Sequence, residues 1–356
     1  MISIRLQFGY RSLPPLVLLL AGSPAVLAQE PPRQPATIQI GGITLRPGGF
    51  LDIIGMSRSA ATPDSISTHF GSLPFGDTPG QSIVSLRNSR VQLNGDYQLG
   101  EVKLTGYFES DFLNTTPRQS DYRWRQYWGR ARWGKWELLG GQAWSLLRPN
   151  RKGFDSDRDL MNTDVIDAAY HVGLLGVRRR QFRLGRSFGD YKAVFAWETQ
   201  GDFLTRVTAD KHFGHIEATA FTGRRSRRGA TASAVLKLAP RVRFVTQESW
   251  LKHSAYEALG VVAAGPNGWA ALEGLEVRAA RRLEVYSYAG LVYASHNAGN
   301  RLVREWTVGF DHRTSLPRIW GVVLLSLQYS KTDRYAWTGR AGEMSFVMYR
   351  ARYTFN

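Results

Sequence analysis

The side chains best able to act on a solute are cations set two residues apart from other polar groups. Arg90 follows Asn88 and precedes Gln92, Asn94 and Asp96; Lys103 precedes Thr105, Tyr107, Glu109 and Asp111; Arg130 and Arg132 make a third such set. In a strand, residues two apart share a face. A face of guanidinium and ammonium groups attracts carboxylates and phosphates, which Arg holds in bidentate fashion. Arg178, Arg179, Arg180, Arg183 and Arg186 form the densest basic run. From it Arg178 and Arg180 join Arg90, Lys103, Arg130 and Arg132 as candidate anion-attracting groups. Strict alternation would turn part of this run the other way, toward lipid if the wall is a membrane wall, and a bulge, a subunit interface or a headgroup-level position would relieve the cost. Other chemistries fit poorly. Asp155, Asp157 and Asp159 begin like a calcium loop, but the glycine and distal glutamate of that pattern fall on Leu160 and Ile166. His212 and His215 straddle an expected turn and lack the one-face spacing of a zinc protease. There is no nucleophile elbow and no cysteine. No metal, cofactor or nucleic-acid partner is expected.

The elements that position these groups are strands. From Ser89 to Tyr97 the odd positions are Ser89, Val91, Leu93, Gly95 and Tyr97, while the even ones carry the charge and amides. After a turn at Gln98–Glu101, Val102, Leu104, Gly106, Phe108 and Phe112 take one face and Lys103, Thr105, Tyr107, Glu109 and Asp111 the other. A wall wet on one side and apolar on the other is the pattern of a transmembrane β-barrel. The leader agrees. Arg5 and Arg11 precede the apolar run Leu16 to Ala21, and Val26-Leu27-Ala28 ends in a small residue, which predicts a signal peptide over 1–28 cleaved before Gln29. No other run approaches the roughly 18 apolar residues of a spanning helix.

Strands are expected near 48–57, 84–97, 102–113, 123–133, 136–144, 174–185, 191–198, 203–210, 215–223, 230–238, 241–249, 268–278, 283–295, 302–311, 319–330 and 344–355, a closed antiparallel barrel of about sixteen strands, wide enough for an aqueous channel. Residues 29–47, with Pro31, Pro32 and Pro35, read as an extended periplasmic tail, and 48–356 as the barrel. Long connections at 58–83, 145–173, 250–267 and 331–343 alternate with short turns such as Gly134-Lys135 and Gly189-Asp190, as outer loops alternate with periplasmic turns. Trp133 and Trp136 flank one turn, and Tyr349, Tyr353 and Phe355 share the lipid parity of the last strand, as an aromatic girdle requires. Trp124 and Trp128 share the parity of Arg130, which predicts a bulge in strand 123–133. The connection 145–173 carries Asp155, Asp157, Arg158, Asp159 and Asp164 beside Arg148, Arg151 and Lys152. Its length marks it as functional, folded inward as a constriction, or else as a solvated outer loop.

The segments LRNSRVQLNGDYQLGEVKLTGYFESDF (86–112) and YRWRQYWGRARWGKWELLGGQAWSLL (122–147) resemble the DcaP-like trimeric outer-membrane porins, related to the phosphate-selective porin O and P family. The resemblance implies a homotrimer of water-filled channels in a Gram-negative outer membrane, passing small, often anionic, hydrophilic solutes. The helical coiled-coil segment common before such barrels has no counterpart in the proline-bearing 29–46. The formal charge of +17 fits either an anion-favouring lumen or contact with lipopolysaccharide and other outer-membrane lipid, and Arg224, Arg225, Arg227 and Arg228 are placed with lipopolysaccharide phosphates or with water. Two rival classes remain open on residues alone: a barrel hydrolase of phospholipase or protease type, and a non-conducting adhesin or structural barrel.

Overall fold

The computed structural model describes residues 37–62, 66–113, 122–149, 171–253, 267–295, 299–315 and 321–355. The expected signal peptide, 1–28, and the N-terminal part of the expected tail lie outside the described residues. Eighteen strands and one 3-10 turn, Phe70–Ser72, make up the regular structure there. The strands are β1 Ile38–Ile40, β2 Ile43–Arg58, β3 Gln81–Ser85, β4 Arg90–Leu99, β5 Val102–Asp111, β6 Arg123–Trp133, β7 Trp136–Trp144, β8 Arg178–Phe188 and β9 Tyr191–Glu198. They continue as β10 Asp202–Lys211, β11 Gly214–Thr222, β12 Arg228–Ala239, β13 Val242–Lys252, β14 Gly268–Ala280, β15 Leu283–Ala294, β16 Asn300–Ser315, β17 Val322–Ala336 and β18 Ala341–Phe355.

From β4 to β18 each strand pairs antiparallel with its successor, and β18 closes on β2 from Phe355↔Gly49 to Phe346↔Arg58. On its other edge β2 pairs with β4 along Thr44 to Phe50 and with β3 along Ile54 to Arg58. Thus β3 and β4 share one wall position, and the barrel has 16 strands. Below Gly49 the edge of β2 would be open, because β18 has ended. There the chain turns back through Gly41 and Gly42, both at positive φ, and β1 pairs with Ile43 to Leu45. That short strand covers the edge.

The side chains sort by parity. Asp52, Glu109, Arg206, Gln247, Thr307 and Gln328 are buried on the inner face, while Leu51, Leu93, Phe195, Phe203, Val207 and Leu327 are exposed on the outer one. So much apolar surface in water would cost about 25 cal/mol per Å². In hydrocarbon it costs nothing, and the closed ladder pairs the strands around the whole ring, with Asp52 N–H in the gap between β3 and β4 donating to Ser89 Oγ at 3.0 Å.

Several expected boundaries move by a few residues, among them the C-terminal end of 302–311, which extends to Ser315, and four changes bear on the architecture. The first strand begins at Ile43 rather than 48, so part of the expected tail is wall. The sixth expected strand, 174–185, begins at Arg178, because 174–177 leave the wall. The expected strand 84–97 is interrupted at 86–89, where Ser89 N–H bonds Leu86 C=O in a turn. The expected long connection 331–343 is mostly strand, since β17 runs to Ala336 and β18 starts at Ala341. Its charges suggested a loop, but Lys331 pairs with Glu343 at 3.3 Å and Asp333 with Arg304 at 2.8 Å across neighbouring strands.

The last residues carry the closure. Deleting Tyr353–Asn356 removes the pairs to Gly49, Phe50 and Leu51, leaving ladder groups without partners in a medium where each costs several kcal/mol. The truncated protein should lose heat-modifiable migration on a gel and fail to reach the membrane. Wild-type migration and melting in the truncated form would contradict closure at this seam.

Candidate functional site

Several ion pairs of the lumen share one orientation, the carboxylate behind and the cation in front. On β4–β7 Asp96 takes Arg46 and, at 3.3 Å, Lys103; Glu137 takes Arg132 at 2.9 Å and Lys192 at 3.3 Å. Across the ring Glu284 takes Arg243 at 2.7 Å and Arg313 at 2.6 Å. The side chain of Lys103 is 45% exposed against 14% for Asp96, Arg132 37% against 6% for Glu137, and Arg313 34% against 0% for Asp311. Water in the lumen therefore meets cations. The short anchored acid is covered by the long side chains it holds.

Toward the loop end the pairs merge. Asp111 receives Arg123 in a two-pronged contact, at 2.8 and 2.6 Å, and Arg125 at 2.6 Å; Glu109 receives Arg125 at 2.6 Å and faces Arg90 at 3.7 Å. Arg125 reaches this cluster through a bulge: Glu109 pairs with Gln126 and Ser110 with Trp124, so Arg125 is the extra residue. The bulge expected from the Trp124 and Trp128 parity is therefore there. It turns Trp124 outward and leaves Trp128 inside, stacked on Tyr107 at 5.1 Å with Arg130 over its ring. Trp144 gathers Arg125, Arg148 and Arg178 on its ring at 5.8, 3.7 and 5.0 Å.

Of the six wall cations named from sequence, Arg90, Lys103, Arg130 and Arg132 stand on the inner face and Arg178 lies against Trp144. Arg180 does not join them. It is exposed and out of phase with the buried Gln181 and Arg183, which puts it on the outer wall. Arg123 and Arg125 were missed because the bulge reverses their parity. Among the described residues no three carboxylate or imidazole groups gather where a metal ion could sit.

The described ends of the connection between β7 and β8 enter the lumen. Leaving β7, Leu146 N–H donates to Glu198 at 3.3 Å, and its carbonyl accepts from Thr219 at 3.1 Å and from the fully buried Arg206, which also donates to Arg148 C=O. At the returning end Val172 N–H donates to Glu305 of β16 at 2.7 Å, and His171 packs on Tyr288 of β15. Gly290 leaves room for the Val172 carbonyl where any Cβ would collide. Since β15 and β16 lie opposite β7 in the ring, the segment 171–177 spans the channel, and Ser145 N–H closes it by bonding Val177 C=O at 2.9 Å. Asp155, Asp157, Arg158, Asp159 and Asp164 lie outside the described residues.

Sequence reasoning missed a second inward element. Residues 66–75 turn in under β16–β18: Asn300 donates to Gly71 C=O at 2.9 Å, Arg334 donates to Leu73 C=O, and Phe70 and Leu73 are buried. They pack with Ile54, Met56, Met344 and Phe346 in the apolar cluster inside the barrel. The signal was available, since these four residues occupy the same parity as Asp52 and Arg350. Apolar residues on the wet face need a cover. Val194, Leu204, Val235 and Val245 say the same of β9–β13, where Leu146, Leu147, Leu174 and Leu175 supply it.

No family model matches the sequence, and no curated protein matches it. Solved structures do. The outer membrane channel DcaP of Acinetobacter baumannii superposes with a TM-score of 0.74 over 89% of this chain and 99% of its own, at 15% identity. An anion-selective porin from Comamonas acidovorans follows at 0.61 over 88% and 100%, with 12% identity. OmpT, an outer membrane protein of Vibrio cholerae, gives 0.59 over 90% and 100%, with 8% identity. The chain has the DcaP-like porin fold. At such identities the likeness is one of architecture, and the inward loop and the cation-fronted lumen are read from this porin fold's own residues.

The anchoring of that loop is testable. Glu305→Ala leaves the buried Val172 N–H without its acceptor, a cost of about 1–3 kcal/mol, whereas Glu305→Gln keeps an acceptor. Single-channel records of Glu305→Ala should show added flicker and a higher mean conductance, and protease should cut within 145–177 sooner. Glu305→Gln should stay near wild type. Identical records for Glu305→Ala and wild type would mean that the segment does not hold the channel.

Proposed function

We propose that the protein is a passive outer-membrane channel that favours small hydrophilic anions, carboxylates and phosphate among them. The observation that carries this reading is the layering of the lumen, in which every exposed member of the pairs at Lys103, Arg132, Arg123 and Arg313 is the cation. The inward loop supports it, because a narrowed lumen brings ions within the screening length of the wall, roughly 8 Å at physiological salt. The Comamonas protein, an anion-selective porin, shares this architecture.

In this reading 1–28 is a cleaved leader, the β7–β8 connection is the constriction, three copies assemble, and the outer wall meets lipopolysaccharide and membrane lipid. OmpT of Vibrio cholerae has a trimer form. The protein does no covalent chemistry; turnover of phospholipid or casein by the purified protein would overturn that part.

Under a salt gradient in a planar bilayer, the reversal potential should have the sign for anions at low salt and shrink toward zero at molar salt. Changing Arg90, Arg130 and Arg132 together to Glu replaces three positive charges by three negative ones and should reverse the sign at low salt. A folded triple variant with an unchanged reversal potential would refute the assignment.

A further inference from the structure

A second group of cations faces away from the channel. At the loop end of β8–β13, Arg180 and Arg228 lie on the outer parity, Arg228 opposite Lys252 of the next strand, and the β11–β12 turn adds Arg224 and Arg225. Arg180, Arg224, Arg225 and Arg228 are exposed. The acids near them are engaged inward: Asp202 is fully buried and paired with Arg227 at 2.8 Å, and Glu198 is fully buried on the lumen side. Glu248, the outward carboxylate of β13, lies below Trp250 on the same strand. On the outer wall of β16 and β17, by contrast, Arg304 and Lys331 are each matched by a carboxylate, and the exposed Arg340 of the β17–β18 turn lies over the Phe75 ring.

A row of aromatics runs into this basic group, for the cross-strand row that starts at Phe182 continues through Thr222 to Arg228 and Lys252, with Arg180 above Phe182. Phe182 pairs with Trp197 and Trp197 with Phe203, so three exposed rings stand in register on the outer wall of β8, β9 and β10. Outward aromatics mark the headgroup level of a membrane. Arg180 is two residues above Phe182, a rise of about 7 Å along the strand. The connections above, 199–201 and 223–227, are short. These cations therefore cannot rise clear of the bilayer surface.

The turn is held in an unusual form. Arg225 and Ser226 both have left-handed backbones, at φ 56° and 58°, where glycine would be easier. Arg227 fixes it by donating to the Gln200 carbonyl at 2.6 Å and side-chain oxygen at 2.7 Å as well as pairing with Asp202. One arginine of the turn is spent on its shape, and Arg224, Arg225 and Arg228 remain at the surface. Guanidinium groups pair with phosphate through two parallel hydrogen bonds.

We infer that the loop-end rim of β8–β13, formed by Arg180, Arg224, Arg225, Arg228 and Lys252 around the end of the Phe182–Trp197–Phe203 row, is a docking surface for the phosphate groups of membrane lipid in the facing leaflet. This rests on the outer-membrane reading but not on conduction, because none of the five cations faces the lumen.

The test uses the folded full-length protein in phosphatidylcholine nanodiscs, titrated with bisphosphorylated lipid A or with the same lipid stripped of phosphate, and bound lipid counted by native mass spectrometry. Wild type should bind the phosphorylated form at least tenfold more tightly than the stripped one. The Arg224→Gln, Arg225→Gln, Arg228→Gln variant should lose most of that preference, with heat-modifiable migration and reversal potential unchanged. The double variant Arg180→Gln, Lys252→Gln alters no turn residue, so it reads the site even if the triple variant folds poorly, and it should weaken binding several-fold. Arg241→Gln, Arg282→Gln, at the opposite end of the barrel, should bind as wild type does. Equal binding by wild type and the double variant, an equal loss in the opposite-end control, or full competition by millimolar inorganic phosphate would each overturn the lipid site.

Discussion

A backbone inside hydrocarbon has no water to bond with, and everything else in this barrel depends on how that constraint is met. The ladder from β2 through β18 and back joins each strand to its neighbours, and β1 covers the edge of β2 that β18 does not reach. A closed ladder fixes register, and register fixes which side chains face in, since a slip of one residue would exchange the two faces. The charges of the lumen are in this sense a consequence of the hydrogen bonds of the wall.

Within that frame the inward charges do two tasks at once. Carboxylates such as Asp111, Glu137 and Glu276 are held nearly dry against the wall by arginines and lysines. Buried ion pairs contribute little net stability, because desolvation offsets the attraction. Their consequence is directional: acids are consumed as anchors while the partner cations keep contact with water. A basic chain with many acids can thereby turn cations toward water at these positions. The inward segments add to this by joining Leu146, Leu147, Leu174 and Leu175 to the apolar cluster that includes inner-wall residues of β9–β14.

The parts legible in the sequence were those governed by strict alternation. The hairpin from Arg90 to Asp111 lies as its period-two pattern requires, and Arg90 and Lys103 face the lumen with it. Two tryptophans at inconsistent parity were enough to locate the bulge in β6. The same bulge hid Arg123 and Arg125, because parity counted through an inserted residue gives the wrong face. The charged stretch from Lys331 to Glu343 looked like a loop since nothing local distinguishes a cross-strand ion pair on an outer wall from solvated charge. The two inward segments needed partners more than a hundred residues away, Glu305 for Val172 and Arg334 for Leu73, and no short pattern announces such contacts.

The central claim is that the solute path runs along exposed cations on β4–β6, and the absence of cysteine from the sequence makes it directly measurable. A single cysteine placed at Lys103 should react faster with an anionic sulfonate thiol reagent than with a cationic ammonium one, and modification should lower the conductance. A cysteine at Arg180, on the outer wall, should leave the conductance unchanged whichever reagent is used. Faster reaction of the Lys103→Cys variant with the cationic reagent, or a block of current through Arg180→Cys, would contradict the account.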